Sequence, residues 1–572
     1  MISDKKHSYI ETGFVILSLY LFSYLIHSPH TLFNVVDTNW DFEAHYAWSV
    51  QFLQAFHQGD PYPRWMPMGN LGLGEPVLLF YAPLFYYATA VVGFFTSSTW
   101  EAIKIVEVLA TTMTGFFVWL LLKPLTNNKV ALAGALLCQM TPMIYMIFHY
   151  FNGLPWGTSF AGLAALLYFI FNPRYQDRLI NIPVSLSITM ITMTHIVSGM
   201  VVIICTSFMT LAHIHPSPKG WKISWQPIIS WFSSVALGLG LAMVYLFPAL
   251  TSMDLVASEK WTKAYPPNDA FAFPTITYFL FGMRWFTFQW VVPLLSLLSV
   301  VFATYYTNRI RPNLPNRAAQ IISTLLVISW ASLFFSSEFS YLLWKLPTPL
   351  KMVQSPHRFL YVTAITSIVV NILCLWDVYA NKRPHIWLYV GLTPLVLVIA
   401  LTMALNLKII FINGEPMQLT DEIKPYGSYS EYHLKAQGPE WRSYIDSGGF
   451  ANECNLQQAG CHESGSKGHW RVWNISAVHA ITLRLPVLSF PAWTVTVDGM
   501  AVEAVADPAT GLIQVQLLPG AHEVMLSWTR LPQEYSGIWL SLTTLALLAL
   551  YLAGAQRTGR APSAPWSPDK PV

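Results

Sequence analysis

Charge is what this chain has least of: Asp, Glu, Lys and Arg make up 11% of its 572 residues, where an ordinary soluble domain carries roughly 25%. That shortage excludes a water-soluble surface of normal size. With 54% hydrophobic and 15% aromatic residues, the chain reads as a membrane protein. Basic clusters are missing as well. The net charge is +3 and the cations are scattered over short loops, so no stripe exists for a nucleic-acid partner. No Walker or Rossmann glycine pattern occurs, and nucleotide hydrolysis therefore has no seat. Cysteine is scarce. Of five, Cys138, Cys205 and Cys374 lie in apolar runs and read as core residues. Cys454 and Cys461 fall in the one long polar region, "NECNLQQAGCHESG", at a spacing that suits a small closed loop. A disulfide there requires an oxidising compartment, and the alternative is two unrelated thiols.

What the chain does have is long apolar runs. A membrane helix needs about 20 apolar residues, and candidates fall near 12–28, 78–95, 104–122, 129–147, 154–171, 196–213, 227–248, 287–305, 318–336, 357–378, 386–406 and 536–554. A shorter run, 181–193, precedes "THIVSG" and suits a hairpin with 196–213. No small-residue cleavage site follows the first run, which reads as a retained first helix or an uncleaved signal anchor. Between 407 and 535 the pattern changes to alternation. "TVTVDGMAVEAV" turns at Asp498-Gly499, and "LIQVQLLPGAHEVMLSW" gives two alternating runs joined through Pro519-Gly520. The expected architecture is a polytopic α-helical bundle over 1–406 with a first outer loop at 31–77. An extracytoplasmic β-sandwich domain over 407–535 is inserted before a last membrane helix at 536–554, and a cytoplasmic tail occupies 555–572.

The loops carrying Lys123 and Lys129, Arg174 and Arg178, Lys219 and Lys222, Arg309, Arg311 and Arg317, and Lys382 and Arg383 should all be cytoplasmic by the positive-inside bias. If every candidate spans, a cytoplasmic N-terminus puts these loops outside. Making 78–95 a re-entrant or interfacial segment repairs every loop at once and places Cys454 and Cys461 in the oxidising compartment. A missed extra pass elsewhere serves the β-domain equally well. In both versions the 31–77 loop and the β-domain share the outer face, in a bacterial inner membrane.

Against this background "VVDTNWDFEAHYAW", residues 35–48, stands out, for it places Asp37, Asp41, Glu43 and His45 within nine residues next to a membrane-length run. Carboxylates at the end of a helix bundle can act as a general base toward a hydroxyl or hold a divalent cation through oxygen. The bland alternative is a solvated loop in which Asp37 caps a helix starting near Phe42.

"DFEAHYAW" followed by "GDPYPRWMPMGNLGLGEPVLLFYAPLFYY" resembles the first outer loop of the bacterial YfhO-like membrane proteins, relatives of the 6-pyruvoyl-tetrahydropterin-synthase-related membrane proteins. "LPTPLKMVQSPHRFLYV" is similar to that group's proline-flanked segment, and "MTHIVSG" to its helix-end histidine. "SFPAWTVTVDGMAV" with "LPGAHEVMLSW" is similar to its C-terminal outer β-domain. The resemblance covers nearly the whole chain. It implies the GT-C class of glycosyltransferases, which take a sugar from a polyprenyl-phosphate carrier on the outer face. In that class the catalytic acid lies in the first outer loop, often as D-x-D or D-x-E, a pattern that Asp41 and Glu43 match. This sequence has "QSPHRF" where an aromatic often follows the Gln.

The implied inverting transfer needs a base, a cation or guanidinium for the leaving phosphate, and an apolar groove for the isoprenoid. Asp41 is the candidate base and Asp37 the second. Glu43 would ligand a divalent cation (Mg or Mn) with Asp41, or orient His45. On a helix Asp41 and His45 share a face at i, i+4, whereas Glu43 points elsewhere. Arg358 is the leading phosphate ligand, since a guanidinium binds phosphate bidentately, with Lys351 and His357 beside it. The alternative for Arg358 is snorkelling to headgroups. Arg64 in "PYPRWMP" and Arg284 in "FGMRWF" are further phosphate candidates, each also explained as an interfacial anchor. His195 and His149, at helix ends, are site candidates because ionisable groups at membrane depth are costly. The expected partners are membrane lipid, a polyprenyl-phosphate sugar and a glycan or lipid acceptor. A lipid-linked sugar flippase would need related halves or helices broken at mid-membrane, and no internal repeat is found. A non-catalytic assembly protein is the third reading.

Overall fold

A computed structural model describes residues 2–38, 41–176, 178–217, 220–262, 271–272, 291–310, 316–417 and 421–557. Arg284 and nearly all of the 555–572 tail lie outside the described residues. Among those described, eight helices are long and apolar enough to cross a membrane: Tyr9–Ile26, Thr99–Leu122, Asn128–His149, Leu154–Phe171, Arg317–Ser336, Pro356–Ala380, Ile386–Asn413 and Pro532–Gly554. The most enclosed is Pro356–Ala380, whose window is 94% buried. It forms the axis against which its neighbours pack, and carries Arg358 at one end.

Four apolar runs are not straight membrane-length helices. The run at 227–248 becomes the pair Trp225–Leu241 and Met243–Thr251, bent by 75°. The break is satisfied from outside, because the Val244 N–H donates to Ser541 Oγ at 2.8 Å and that hydroxyl donates to the Leu241 carbonyl at 3.0 Å, as a break in an apolar environment requires. The run at 78–95 divides into Val77–Phe80 and Leu84–Gly93. Pro83 disfavours a helical Ala82, and the backbone is extended at Tyr81, so neither piece reaches a bilayer's width. The runs at 181–193 and 196–213 form Ile182–Thr194 and Ile196–Ser207, of 13 and 12 residues, with His195 extended between them.

Short strands tie the parts together. β1 (Val35–Val36) precedes Asp37; β2 (Ile214–Ser217) and β3 (Gly220–Ile223) form a hairpin; β4 (Glu415–Pro416) pairs antiparallel with β1. From Asp421 on, the chain runs as a strap over the 31–77 loop. Both Asp421 carboxylate oxygens accept the Thr99 N–H, at 3.2 and 3.1 Å. The Leu71 N–H donates to the Tyr426 carbonyl at 2.8 Å and the Tyr426 N–H to the Met68 carbonyl at 3.0 Å.

The β-domain has strands β5 (Ala459–Lys467), β6 (Trp470–Ala477), β7 (Ile481–Leu488), β8 (Trp493–Val497), β9 (Met500–Val502), β10 (Val505–Ala506), β11 (Leu512–Leu517) and β12 (Gly520–Trp528). They form two antiparallel sheets in the orders β10-β11-β7 and β5-β6-β12-β8-β9. β8 and β9 turn at Asp498-Gly499, where φ is +51° and +78°, the left-handed pair of a tight hairpin. β11 and β12 do not pair. The chain changes sheets at Pro519-Gly520, so Leu512 and Val515 of one sheet share a core with Val524 and Leu526 of the other. Two alternating runs bury more by facing each other across a sandwich than by lying side by side. A disulfide joins Cys454 to Cys461. Trp65 of the first loop sits 5.4 Å from Trp493 and 5.5 Å from Trp528.

Candidate functional site

Asp41 stands at the start of helix Phe42–His57 but does not cap it. Its carboxylate instead accepts a hydrogen bond from the Tyr429 hydroxyl of the strap, at 3.1 Å. The main chain on either side is fixed: the Asp41 N–H donates to the Phe151 carbonyl at 3.4 Å, and the His45 N–H donates to the Asp41 carbonyl at 3.0 Å. Burial pushes the Asp41 carboxyl above its ordinary range, while the Tyr429 hydrogen bond and the Arg358 charge pull it back down. Arg358 is therefore within electrostatic reach of Asp41, although 317 positions separate them in sequence. Tyr81, at the break of the 78–95 run, is acted on by both charges and held above its usual range chiefly by burial.

The side chains around Asp41 and Arg358 are mostly aromatic and imidazole. The Arg358 guanidinium lies 5.7 Å from the centre of the Trp156 ring. Trp156 stacks on His195 at 5.9 Å, and His195 is held by Ser198 Oγ at 2.8 Å. His357 stacks on Phe151 at 6.1 Å. His45 faces Tyr81 at 5.4 Å and its Nδ1 meets the Tyr86 hydroxyl at 2.8 Å. Burial lowers the His45 pKa to about 3, so this imidazole is neutral at physiological pH. It packs among the aromatic rings without adding a cation.

The other sequence candidates lie elsewhere. Asp37 is fully buried and accepts from Asn413 Nδ2 at 3.3 Å, while its main-chain carbonyl accepts from Asn152 Nδ2 at 2.6 Å; these contacts hold the loop. Arg64 is not at the mouth: it is 3% exposed, paired with Glu534 at 2.9 Å, and donates to the Leu78 carbonyl at 2.9 Å. It pins the first loop to the start of the last helix. Lys351 is exposed on a 3-10 turn and Glu43 on the first turn of its helix. Among the described residues no group of three or more His, Cys, Asp or Glu side chains is arranged to hold a metal. Asp41 and Glu431 of the strap act on each other electrostatically, and a Mg or Mn ion held there would need further oxygens from a substrate phosphate.

Sequence reasoning missed Tyr429, Tyr81 and Glu75. Glu75 is buried under the strap and accepts from Trp48 Nε1 at 2.9 Å and from the Tyr426 hydroxyl at 2.8 Å. The signal was a carboxylate in "GLGEPVLL", beside an apolar run, and the tyrosine series of "KPYGSYSEYH".

The sequence matches no family model and no curated protein. Among solved structures the chain is similar to the arabinofuranosyltransferase AftD from Mycobacteria, with TM-score 0.46 and 12% identity over 90% of this chain and 40% of that one. It is also similar to the Archaeoglobus fulgidus oligosaccharyltransferase, with TM-score 0.39 and 13% identity over 68% of this chain and 52% of that one. The chain thus spans two-fifths to about half of the length of these proteins.

Proposed function

We propose that the chain is an integral-membrane glycosyltransferase of the GT-C class, moving a sugar from a polyprenyl-phosphate carrier to a cell-envelope glycan or lipid at the outer face of a bacterial inner membrane. The observation that carries the reading is a carboxylate, Asp41, raised by burial and held by Tyr429, within the field of the Arg358 guanidinium at one end of an apolar helix bundle. In the reaction the acceptor oxygen bonds to the sugar's anomeric carbon as the bond from that carbon to the phosphate oxygen breaks. Asp41 takes the acceptor's proton, and the polyprenyl phosphate leaves with its charge opposite Arg358. The Cys454–Cys461 disulfide supports an oxidising compartment for the β-domain, and that domain's contacts with the first loop put Asp41 on the same side.

The test is Asp41→Asn in lipid nanodiscs with a radiolabelled polyprenyl-phosphate sugar, expression and unfolding temperature being matched to the parent. The expected result is transfer lowered at least 100-fold in a folded protein. Retained transfer removes Asp41 as the base. Lipid movement without any glycosyl product rejects the transferase in favour of a flippase.

A further inference from the structure

Away from Asp41, a run of hydrogen bonds that the transfer does not use loops through the buried bundle and returns to the helix it starts from, with His27 Nδ1 3.9 Å from Glu107 Oε2. Glu107 Oε2 lies 2.8 Å from His30 Nδ1; His30 Nε2 lies 3.2 Å from His149 Nδ1; His149 Nε2 lies 2.9 Å from His27 Nδ1; His27 Nε2 lies 2.8 Å from Thr111 Oγ1. The three imidazoles and the carboxylate are all 0% exposed. They come from three places in the chain: the turn after the first helix, helix Thr99–Leu122, and helix Pro142–His149. Phe148 packs on His27 at 5.0 Å, and Trp100 on His30 at 4.9 Å. Among the described residues the titratable group facing the run is Tyr145, whose ring is 4.5 Å from His149, and the nearest cation, Lys104, lies beyond it, 5.8 Å from the Trp100 ring that packs on His30.

Counting hydrogens shows what such a run can do. Its four links need four hydrogens. With Glu107 ionised, three neutral imidazoles and the Thr111 hydroxyl supply them: every ring carries its hydrogen on Nδ1, and all bonds point toward Glu107. If one proton is added to the carboxyl, Glu107 donates to His30, and each ring passes its hydrogen on from Nε2. Thr111 then accepts from His27 and turns its own hydrogen to a carbonyl one turn back, as Thr112 and Thr114 already do at 2.7 and 2.9 Å. Every link survives, no ring becomes an imidazolium, and the net change is one proton. The charge alone differs. An ionised carboxylate here is fully buried, its Oε1 has no hydrogen-bond partner among the described residues, and such a charge is costly inside a membrane bundle.

We infer that Glu107, His30, His149, His27 and Thr111 form a binding site for a single proton, which fills and empties by a concerted tautomer reversal of three neutral imidazoles. The site is tied to the mouth, since His149 is two residues from Phe151, the acceptor for the Asp41 N–H, and three from Asn152, which holds the Asp37 carbonyl.

The test needs no sugar transfer, so its outcome is independent of the reading above. Full-length protein with 15N-labelled histidine and 13C-labelled glutamate carboxyls is placed in nanodiscs and titrated from alkaline to acid pH. Three rings should change from Nδ1–H to Nε2–H at one common midpoint by 15N NMR. One dry carboxylic-acid band should appear in the infrared at that midpoint. Glu107→Gln, whose amide donates to His30 as the protonated acid would, should lock those rings as Nε2–H at every pH and lose the band. Rings that keep one tautomer throughout, that titrate at separate midpoints, or that become imidazolium would each overturn the inference. The wild-type titration decides it even if the variant does not fold.

Discussion

Tyr429 donates to a carboxylate that burial is already driving toward its neutral form, so this one hydroxyl helps decide how much base is present at a given pH. A hydrogen bond to a charged group is worth about 1.5–3 kcal/mol. Tyr429→Phe should therefore raise the Asp41 pKa further. In the proposed transfer Asp41 works as the ionised base, so activity should fall as pH drops through its pKa. The acid limb of kcat/KM should consequently move to higher pH in the variant, with about a tenfold loss below the midpoint and little loss well above it. A uniform loss at all pH values would mean that Tyr429 supports structure alone. His45 cannot supply that limb, since burial keeps its pKa near 3. At this scale the sequence was legible for the charged partners and silent on the phenol. Asp41 and Arg358 stand out because charge is rare here, whereas Tyr429 is one of 27 tyrosines and reaches Asp41 only through the path of the strap.

Between elements, the first loop is held by a buried ion pair rather than by the lipid surface. Arg64 and Glu534 are each 3% exposed. Removing one partner of such a pair leaves an uncompensated charge, which costs about 3–5 kcal/mol. Arg64→Met should lower the unfolding temperature in detergent markedly. Arg64→Met with Glu534→Leu should recover much of the loss, because an apolar pair has no stranded charge. A double variant no better than the single one would argue that the contacts of Arg64 with Tyr62 and the Leu78 carbonyl matter more than the charge. The Cys454–Cys461 link is a second local device, closing a short loop between helix Gly449–Leu456 and edge strand β5. By chain entropy a loop of about eight residues is worth about 2.5 kcal/mol. Replacing both cysteines by serine should destabilise the β-domain by that order, read by denaturant unfolding with near-ultraviolet dichroism. The parent should respond to reductant, and the variant should not. Element types were largely legible here, because alternation and apolar run length report burial directly. What was not legible was continuity. The breaks at Tyr81, His195 and Ala242 depend on partners such as Ser541, which lies some 300 positions away. Likewise, the sheet change at Pro519-Gly520 depends on which faces meet across the sandwich. The buried histidine run was half visible: His149 was singled out, whereas Glu107 was passed over as a lone charge in an apolar helix.

For the molecule as a whole, the contacts constrain sidedness more tightly than loop charge does. The 31–77 loop is joined to the β-domain and the last helix by β1 with β4, by Trp65 against Trp493 and Trp528, by Leu488 N–H on the Leu73 carbonyl, and by Arg64 with Glu534. A loop and a domain so connected lie on one side of any bilayer that the bundle crosses. Arg358 marks that side. The helix Leu360–Ala380 has 21 residues, about 32 Å at roughly 1.5 Å per residue, which is close to the thickness of a hydrocarbon core. Lys382 and Arg383, just past its far end, are then expected on the opposite face, which the positive-inside bias predicts to be cytoplasmic. Single-cysteine variants test this in intact cells with a membrane-impermeant maleimide, the native disulfide being left in place and the three buried cysteines replaced. Gln58→Cys in the first loop and Lys467→Cys in the β-domain should label from outside. Asn381→Cys should label only after permeabilisation. If Gln58→Cys and Lys467→Cys label from opposite sides, the shared face fails and Asp41 is separated from the domain that covers it. If Asn381→Cys labels from outside along with them, the helix through Arg358 does not cross, and the proposed site loses its place at the mouth of a membrane bundle.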